Sequence, residues 1–243
     1  MSQKIKIALL GSNGKMGLHV QSLLKDNKSF EAYLEVTSKK KSKLFKKSFE
    51  KLQLVPDSVL KDVDVWIDFS TPKASLNLIQ ILQKYKTPLI SGTTGFTTAE
   101  FKTLSKYGQK AAFFWASNMS TGLWAVRQAL KALKYISDFD VCVDEIHHTE
   151  KKDNPSGTAV TLHQDLETLL KRKIKTPHGQ RIGRIYGIHT VTAASATELI
   201  KIEHQALSRS VFAEGALKAA LWIVKQPAGL YSMDHLMTTR SPK

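Results

Sequence analysis

The sequence has one cysteine, Cys142, among its 243 residues, so no disulfide forms within the chain. That excludes a disulfide-stapled secreted scaffold and fits a reducing cytoplasm. No run approaches the ~20 consecutive apolar residues that a membrane helix needs. The opening Met-Ser-Gln-Lys-Ile-Lys-Ile lacks the apolar core of a signal peptide, so export is not expected. There is no internal repeat and no low-complexity linker. Acidic residues are scarce, at 21 against 36 Lys and Arg, which leaves a formal net charge of +15. What remains is an ordinary globular composition, 42% apolar and 23% charged. A chain of this length buries a sizeable core as one large domain or two small ones.

The basic excess admits three readings. Cations replace counterions on nucleic acid, or steer small acidic molecules, or form a solvated lysine surface. The lysines cluster from Lys39 to Lys47 and then recur singly on helices. Aromatics are not interleaved with them as in single-strand-binding surfaces, so nucleic acid is not the expected partner.

The first half alternates short apolar runs with amphipathic segments. Ile5 to Leu10, Phe30 to Val36, Val63 to Phe69, Pro88 to Ser91 and Ala111 to Ala116 read as strands. Met16, Val20, Leu23 and Leu24 share one helical face. Thr71-Pro72 opens a helix, and Thr97 with Glu100 has the spacing of a capping box. This alternation predicts an α/β fold, a parallel sheet with helices on both faces. From about Asn118 the pattern changes. A helix over Thr121 to Tyr135 precedes a strand from Val141 to His147. A helix follows through Leu162, Leu166, Leu169 and Leu170. Two adjacent strands then span His189 to Ala194 and Glu198 to Ala206, and Ala213 to Val224 is an apolar helix. The mixture predicts a second domain of sheet plus helices.

Gly11-Ser12-Asn13-Gly14-Lys15-Met16-Gly17 lies between the first strand and first helix, where dinucleotide folds hold a pyrophosphate. Residues without side chains let the backbone approach the anion, and the helix start presents unpaired N–H groups. The end of the second strand selects the cofactor. Glu35 would take a ribose hydroxyl if the strand stopped at Leu34. A strand continuing through Val36 leaves Thr37, Ser38 and Lys39 at the tip, which suits the 2′-phosphate of NADPH over NADH. Asp68-Phe69-Ser70 and Gly92-Thr93-Thr94-Gly95 follow further strands of the same sheet.

The densest constellation runs from Glu145 to Ala159. His147 and His148 point in different directions at a strand end. Lys151 adds a fixed positive charge beside a proton donor that works near neutral pH. Ser156 is a good N-cap, and the first turn at Gly157 and Thr158 offers N–H groups to a carboxylate. Adjacent histidines lack ligand spacing, so no metal is expected.

This segment resembles the signature Glu-x-His-His-x-x-Lys-x-Asp-x-Pro-Ser-Gly-Thr-Ala of the 4-hydroxy-tetrahydrodipicolinate reductases, or dihydrodipicolinate reductases, of diaminopimelate and lysine biosynthesis. The glycine turn is similar to the family's Gly-x-x-Gly-Arg-Met-Gly, with Lys15 in the arginine's place. Asp68 to Ser70, Gly92 to Gly95, Ser117 to Ser120 and His204 to Ala216 also resemble family segments in order and spacing. Ile188 and Thr197 depart from it, standing where the family has Glu and Gly.

The resemblance implies a Rossmann-like dinucleotide-binding domain over 1–118, with a C-terminal segment from about 214 to 243 returning to it. A mixed α+β domain over 119–213 would bind substrate and form a homotetramer. It implies His147 as general acid, and His148, Lys151, Ser156, Gly157 and Thr158 as contacts to a small dicarboxylate. It places Gly92, Thr94, Ser117, Asn118 and Met119 beside the nicotinamide, and Phe69 in the cofactor site. The rival readings are a non-catalytic NAD(P)-sensing or nucleic-acid-binding protein, and another imine reductase on the same fold.

Overall fold

The computed structural model describes residues 3–37 and 41–239. In chain order the elements are β1 (Ile5–Leu10), α1 (Lys15–Leu24), β2 (Phe30–Val36), β3 (Lys47–Phe49), α2 (Asp57–Lys61), β4 (Val65–Asp68), α3 (Pro72–Leu82), β5 (Leu89–Ser91), α4 (Thr98–Tyr107) and β6 (Ala112–Trp115). There follow α5 (Thr121–Leu130), β7 (Asp140–His147), α6 (Gly157–Leu170), β8 (His178–Arg181), β9 (Ile188–Ala194), β10 (Leu199–Gln205), α7 (Ser210–Ile223), β11 (Gly229–Tyr231) and α8 (Met233–Thr238). The chain divides into two compact units, Met1–Met119 with Phe212–Lys243, and Ser120–Val211. Among the described residues no helix is long and apolar enough to cross a membrane.

The first unit is built on a seven-stranded sheet of order β11-β6-β5-β4-β1-β2-β3. Every neighbouring pair in it is parallel. Parallel strands are covered on both faces, which is why these strands are mostly apolar. Trp66, Ile67, Leu89, Ile90, Phe113 and Phe114 are wholly buried along these strands. Local chemistry sets the helix starts. Thr71 Oγ1 accepts from Ala74 N, with Pro72 in the first turn of α3. Thr97 and Glu100 close a reciprocal capping box on α4.

The second unit carries a four-stranded sheet of order β10-β9-β7-β8, in which β7 pairs antiparallel with β9 and parallel with β8. On β7 the residues Val141, Val143, Glu145 and His147 are buried and alternate with more exposed ones. Val141 and Val143 pack with Leu123, Leu130, Leu162 and Leu166 of α5 and α6 in this unit's core. Glu145 and His147 continue the same inward row, so the strand's period of two delivers polar groups where a core would otherwise extend.

Three details differ from the sequence reading. The strand expected over Val63 to Phe69 is shorter, because its ladder with β1 begins at the Ile7–Val65 pair. The helix expected over Thr121 to Tyr135 ends at Leu130, and Lys131–Ile136 tightens into a 3₁₀ turn. β3, β8 and β11, and the short helices α2 and α8, are not foreseen in the sequence, since each is short and partly exposed.

Asp68, at the carboxyl end of β4, ties the first unit's sheet together. Its buried carboxylate accepts from Ser70 N at 3.1 Å, Ser91 Oγ at 2.9 Å and Thr93 Oγ1 at 3.1 Å. The Ser70 and Ser75 hydroxyls also donate to it. Burial pushes its carboxyl above the ordinary value, and the four hydroxyls pull against that. Asp68→Ala strands several buried hydroxyls, each costing about 1–3 kcal/mol when unsatisfied. We expect a net loss of about 2–4 kcal/mol, read as a lower urea midpoint in the fluorescence of buried Trp66. A midpoint equal to that of the native chain would show that the hydroxyls find other acceptors.

Candidate functional site

In the first unit the chain moves outward from β1 to β2 and β3, then returns to the other side of β1 as β4. Ligands of parallel sheets bind beyond the carboxyl ends of strands at such a reversal. Gly11, the first residue after β1, lies there with φ +82°. A Cβ on it would stand 2.3 Å from the Phe69 carbonyl oxygen that follows β4, so no side chain fits. A Cβ on Gly17 would stand 2.2 Å from the Gly11 oxygen, so the turn rests directly on the first turn of α1. Gly14 caps α1 without a side-chain acceptor. Ser12 Oγ is buried and has no hydrogen-bond partner among the described residues. A close-packed glycine turn, an uncapped helix start and an orphaned hydroxyl fit the phosphates of a dinucleotide.

The other expected cofactor residues gather at the same edge of the sheet. Asn13 Nδ2 donates to Thr37 Oγ1 at 2.6 Å, joining the glycine turn to the end of β2. The Phe69 ring fills the space that a side chain at Gly92 would need. Trp115 Nε1 donates to the Thr93 carbonyl at 3.0 Å, which holds the turn leading to Thr94. Ser117, Asn118 and buried Met119 follow β6. Lys15 and Met16 open α1. Ser38 and Lys39 lie outside the described residues. β2 does run through Val36, and Glu35 is fully buried. Its carboxylate accepts from Ser42 N at 2.6 Å and Ser48 Oγ at 2.8 Å, so it is committed to the chain around β3.

In the second unit, His147 ends β7 and is 6% exposed. His148, the next residue, turns elsewhere, and its Nε2 lies 3.2 Å from Arg209 Nη2. A guanidinium only donates, so His148 Nε2 accepts and its ring proton sits on Nδ1. Arg209 also lies over the Tyr186 ring, 5.1 Å from its centroid. Lys151 Nζ holds both oxygens of Asp153 at 2.8 Å. Burial pushes the Asp153 carboxyl up, but Lys151 and the Gly157 N–H outweigh it and hold it below its ordinary value. Ser156 caps α6 as expected, its Oγ accepting from Ala159 N at 3.2 Å. Gly157 and Thr158 form the first turn of the helix.

The structure adds three residues that the sequence reading did not assign. Glu145 accepts from Ser156 N at 2.8 Å and from Arg181 Nη2 at 2.9 Å. His189 arrives from β9 opposite Glu145, its ring edge-on to His147 with centroids 5.0 Å apart. Burial pushes its pKa down to about 4, so it is neutral near pH 7. Glu145, His147 and His189 each place a potential ligand atom within 4.8 Å of the others, a trio that sequence spacing could not reveal. The Arg181 guanidinium beside Glu145 opposes a further cation there. The only sequence signal for Arg181 was its charge in an otherwise unremarked polar segment.

Comparison with known proteins bears on the whole chain. Residues 5–119 match the family model for the dihydrodipicolinate reductase N-terminus, and residues 123–237 that for its C-terminus. A 4-hydroxy-tetrahydrodipicolinate reductase of Bdellovibrio bacteriovorus is 39% identical over 99% of this chain and 100% of its own length. One of Rickettsia canadensis is 35% identical over 96% of this chain and 98% of its own. A dipicolinate-bound dihydrodipicolinate reductase from a Paenisporosarcina species shares the fold. Its TM-score is 0.76 at 19% identity, over 95% of this chain and 98% of that one. Matches to both halves of the family, at identities of this order along almost the full length, leave one conclusion: the chain belongs to the dihydrodipicolinate reductase family.

Proposed function

We propose that the chain reduces 4-hydroxy-tetrahydrodipicolinate to tetrahydrodipicolinate, in cytoplasmic diaminopimelate and lysine biosynthesis. The observation that carries this reading is Asp153, a solvent-exposed carboxylate of the chain itself, held by Lys151 Nζ at 2.8 Å and by the Gly157 N–H. Lys151 and the start of α6 thus already act together on a carboxylate, the group that a dicarboxylate substrate brings. A passive nucleotide sensor has no use for that arrangement beside a buried histidine.

The glycine turn, Asn13, Thr37, Phe69, Gly92, Thr94 and Ser117 to Met119 would hold the cofactor. When bound, the reduced nicotinamide supplies a hydride. In the second unit, Lys151, His148, Ser156, Gly157 and Thr158 hold the substrate carboxylates and orient the ring, displacing Asp153 from Lys151. Hydride addition leaves electron density on the ring, and His147 as imidazolium neutralises it by giving a proton from Nε2. The 5.1 Å approach of Arg209 to Tyr186 fixes the guanidinium that positions His148.

Loss of a positioned acid costs ~10²–10⁴-fold in rate. His147→Gln is expected to lower kcat by that order with a modest change in substrate KM, whereas Lys151→Ala raises KM and lowers kcat together. Substrate-dependent loss of reduced-nicotinamide absorbance checks both. Near-normal turnover in His147→Gln at saturating substrate would remove histidine from the acid role.

We read the cofactor as NADPH in preference to NADH. The burial of Glu35 supports this, because its carboxylate faces Ser42 and Ser48 rather than standing open at the strand tip. Charge-assisted hydrogen bonds to a 2′-phosphate contribute roughly 1.5–3 kcal/mol each, and ~1.4 kcal/mol is one decade. The expected preference in kcat/KM is about tenfold or more, falling in a Lys39→Ala, Lys40→Ala double variant. Equal use of both cofactors by the native chain would contradict it.

The second sheet also supports a homotetramer. β10 is an edge strand of that sheet and leaves Leu199 exposed, and open strand edges are commonly paired or covered. Light scattering at micromolar concentration is expected to give four times the chain mass; a monomer would count against the assembly.

A further inference from the structure

Glu145 has no part in the roles assigned above, yet its side chain is completely buried. A carboxylate survives in such a place only when donors surround it. Its two oxygens divide the work. Oε1 accepts from Ser156 N at 2.8 Å and Arg181 Nη2 at 2.9 Å. Oε2 faces His147 Nδ1 at 3.3 Å and His189 Nε2 at 3.6 Å. Oε2 and His147 Nδ1 are both buried and neither makes a hydrogen bond with any described residue, so their 3.3 Å approach is a close polar contact. Burial pushes the Glu145 carboxyl up, but the nearby His147 ring and the bonds from Ser156 and Arg181 outweigh it and hold it well below the usual carboxylate range. It is therefore an anion at working pH, and an anion only accepts.

A lone pair on His147 Nδ1 would point at a carboxylate oxygen across 3.3 Å, so the neutral ring carries its proton on Nδ1. An imidazolium that gives up its Nε2 proton becomes that same Nδ1–H form. If the Nε2–H tautomer were formed instead, the proton given up would be the one on Nδ1, which faces Glu145 and not a substrate.

We propose that Glu145 is a positioning residue for the reaction: through Oε2 it fixes the tautomer and orientation of His147, and through Oε1 it fixes the start of α6, so that one buried carboxylate aligns the proton donor with the anion site. The proposal rests on His147 acting as the acid. It follows the general rule that the group behind a working histidine sets which ring nitrogen is active.

Glu145→Gln is the discriminating variant. Its amide oxygen can replace Oε1 and keep the bonds from Ser156 and Arg181, while its NH₂ faces His147 Nδ1 and makes that nitrogen an acceptor. We expect kcat to fall by roughly 100-fold or more, with substrate KM within about threefold of native, in a chain that still folds but unfolds at a lower midpoint because the Arg181 guanidinium loses its counter-charge. In ¹⁵N spectra of histidine-labelled full-length chain, the neutral His147 ring should carry its proton on Nδ1 in the native protein and on Nε2 in the variant. A native ring protonated on Nε2 overturns the proposal without recourse to any variant, as does a Glu145→Gln chain with native kcat and native tautomer. His147→Gln, assayed alongside, separates the two readings. If it keeps turnover, the acid assignment fails while the ¹⁵N spectra still decide whether Glu145 sets the ring. If it loses turnover while Glu145→Gln keeps both turnover and tautomer, only the present proposal fails.

Discussion

One buried carboxylate organises the second unit. Glu145 accepts hydrogen bonds from the start of α6 and from β8, and its second oxygen faces histidines of its own strand and of β9. Taking an anion out of water costs several kcal/mol unless it is paired and hydrogen-bonded. The surrounding structure must therefore deliver those donors together or not form. This explains β8, a short polar strand that no hydrophobic pattern requires. It pairs with β7 from Asp144 to His147, which brings Arg181 beside Glu145. Arg181 Nη2 also donates to the Asp153 carbonyl, so the same guanidinium steadies the loop that carries Lys151.

The first unit uses a related device with a different electrostatic outcome. Asp68 and Glu145 both sit at or near the carboxyl end of a strand, out of solvent, with several donors. Asp68 is met by four hydroxyls and a backbone N–H, all neutral, and burial keeps its carboxyl above the ordinary value. Glu145 is met by a guanidinium, a helix N–H and a histidine, and its carboxyl is held below. Around Asp68, neutral dipoles stiffen a turn with no counter-charge beside it. A guanidinium guarantees an anion, which a histidine proton donor needs behind it.

Much of this was legible in the sequence. Phe30–Val36 forms the strand its β-branched and aromatic run predicts, and the Thr97–Glu100 spacing is the capping box it resembles. The glycine turn and the histidine segment stand out because they need special residue types at fixed spacing. What was not legible has a common physical cause. β3 and β8 are short, and their polar residues give no period of two strong enough to read. Arg181 and His189 join Glu145 only through strand register, across 36 and 44 positions of sequence. Periodicity reports which face a residue occupies; it does not report which distant strand arrives opposite it. The same holds for His148, whose partner Arg209 is 61 residues away.

Glu145 and His147 act as one unit if the carboxylate works through the ring. A double-variant cycle in kcat measures that coupling directly, with Glu145→Gln, His147→Gln and the combined chain. If Glu145 works by setting the His147 ring, removing the ring leaves it nothing to set. The double variant is then expected to turn over within about twofold of His147→Gln alone. If instead the two losses multiply, Glu145 contributes independently of His147, and the coupling at the centre of this account is wrong.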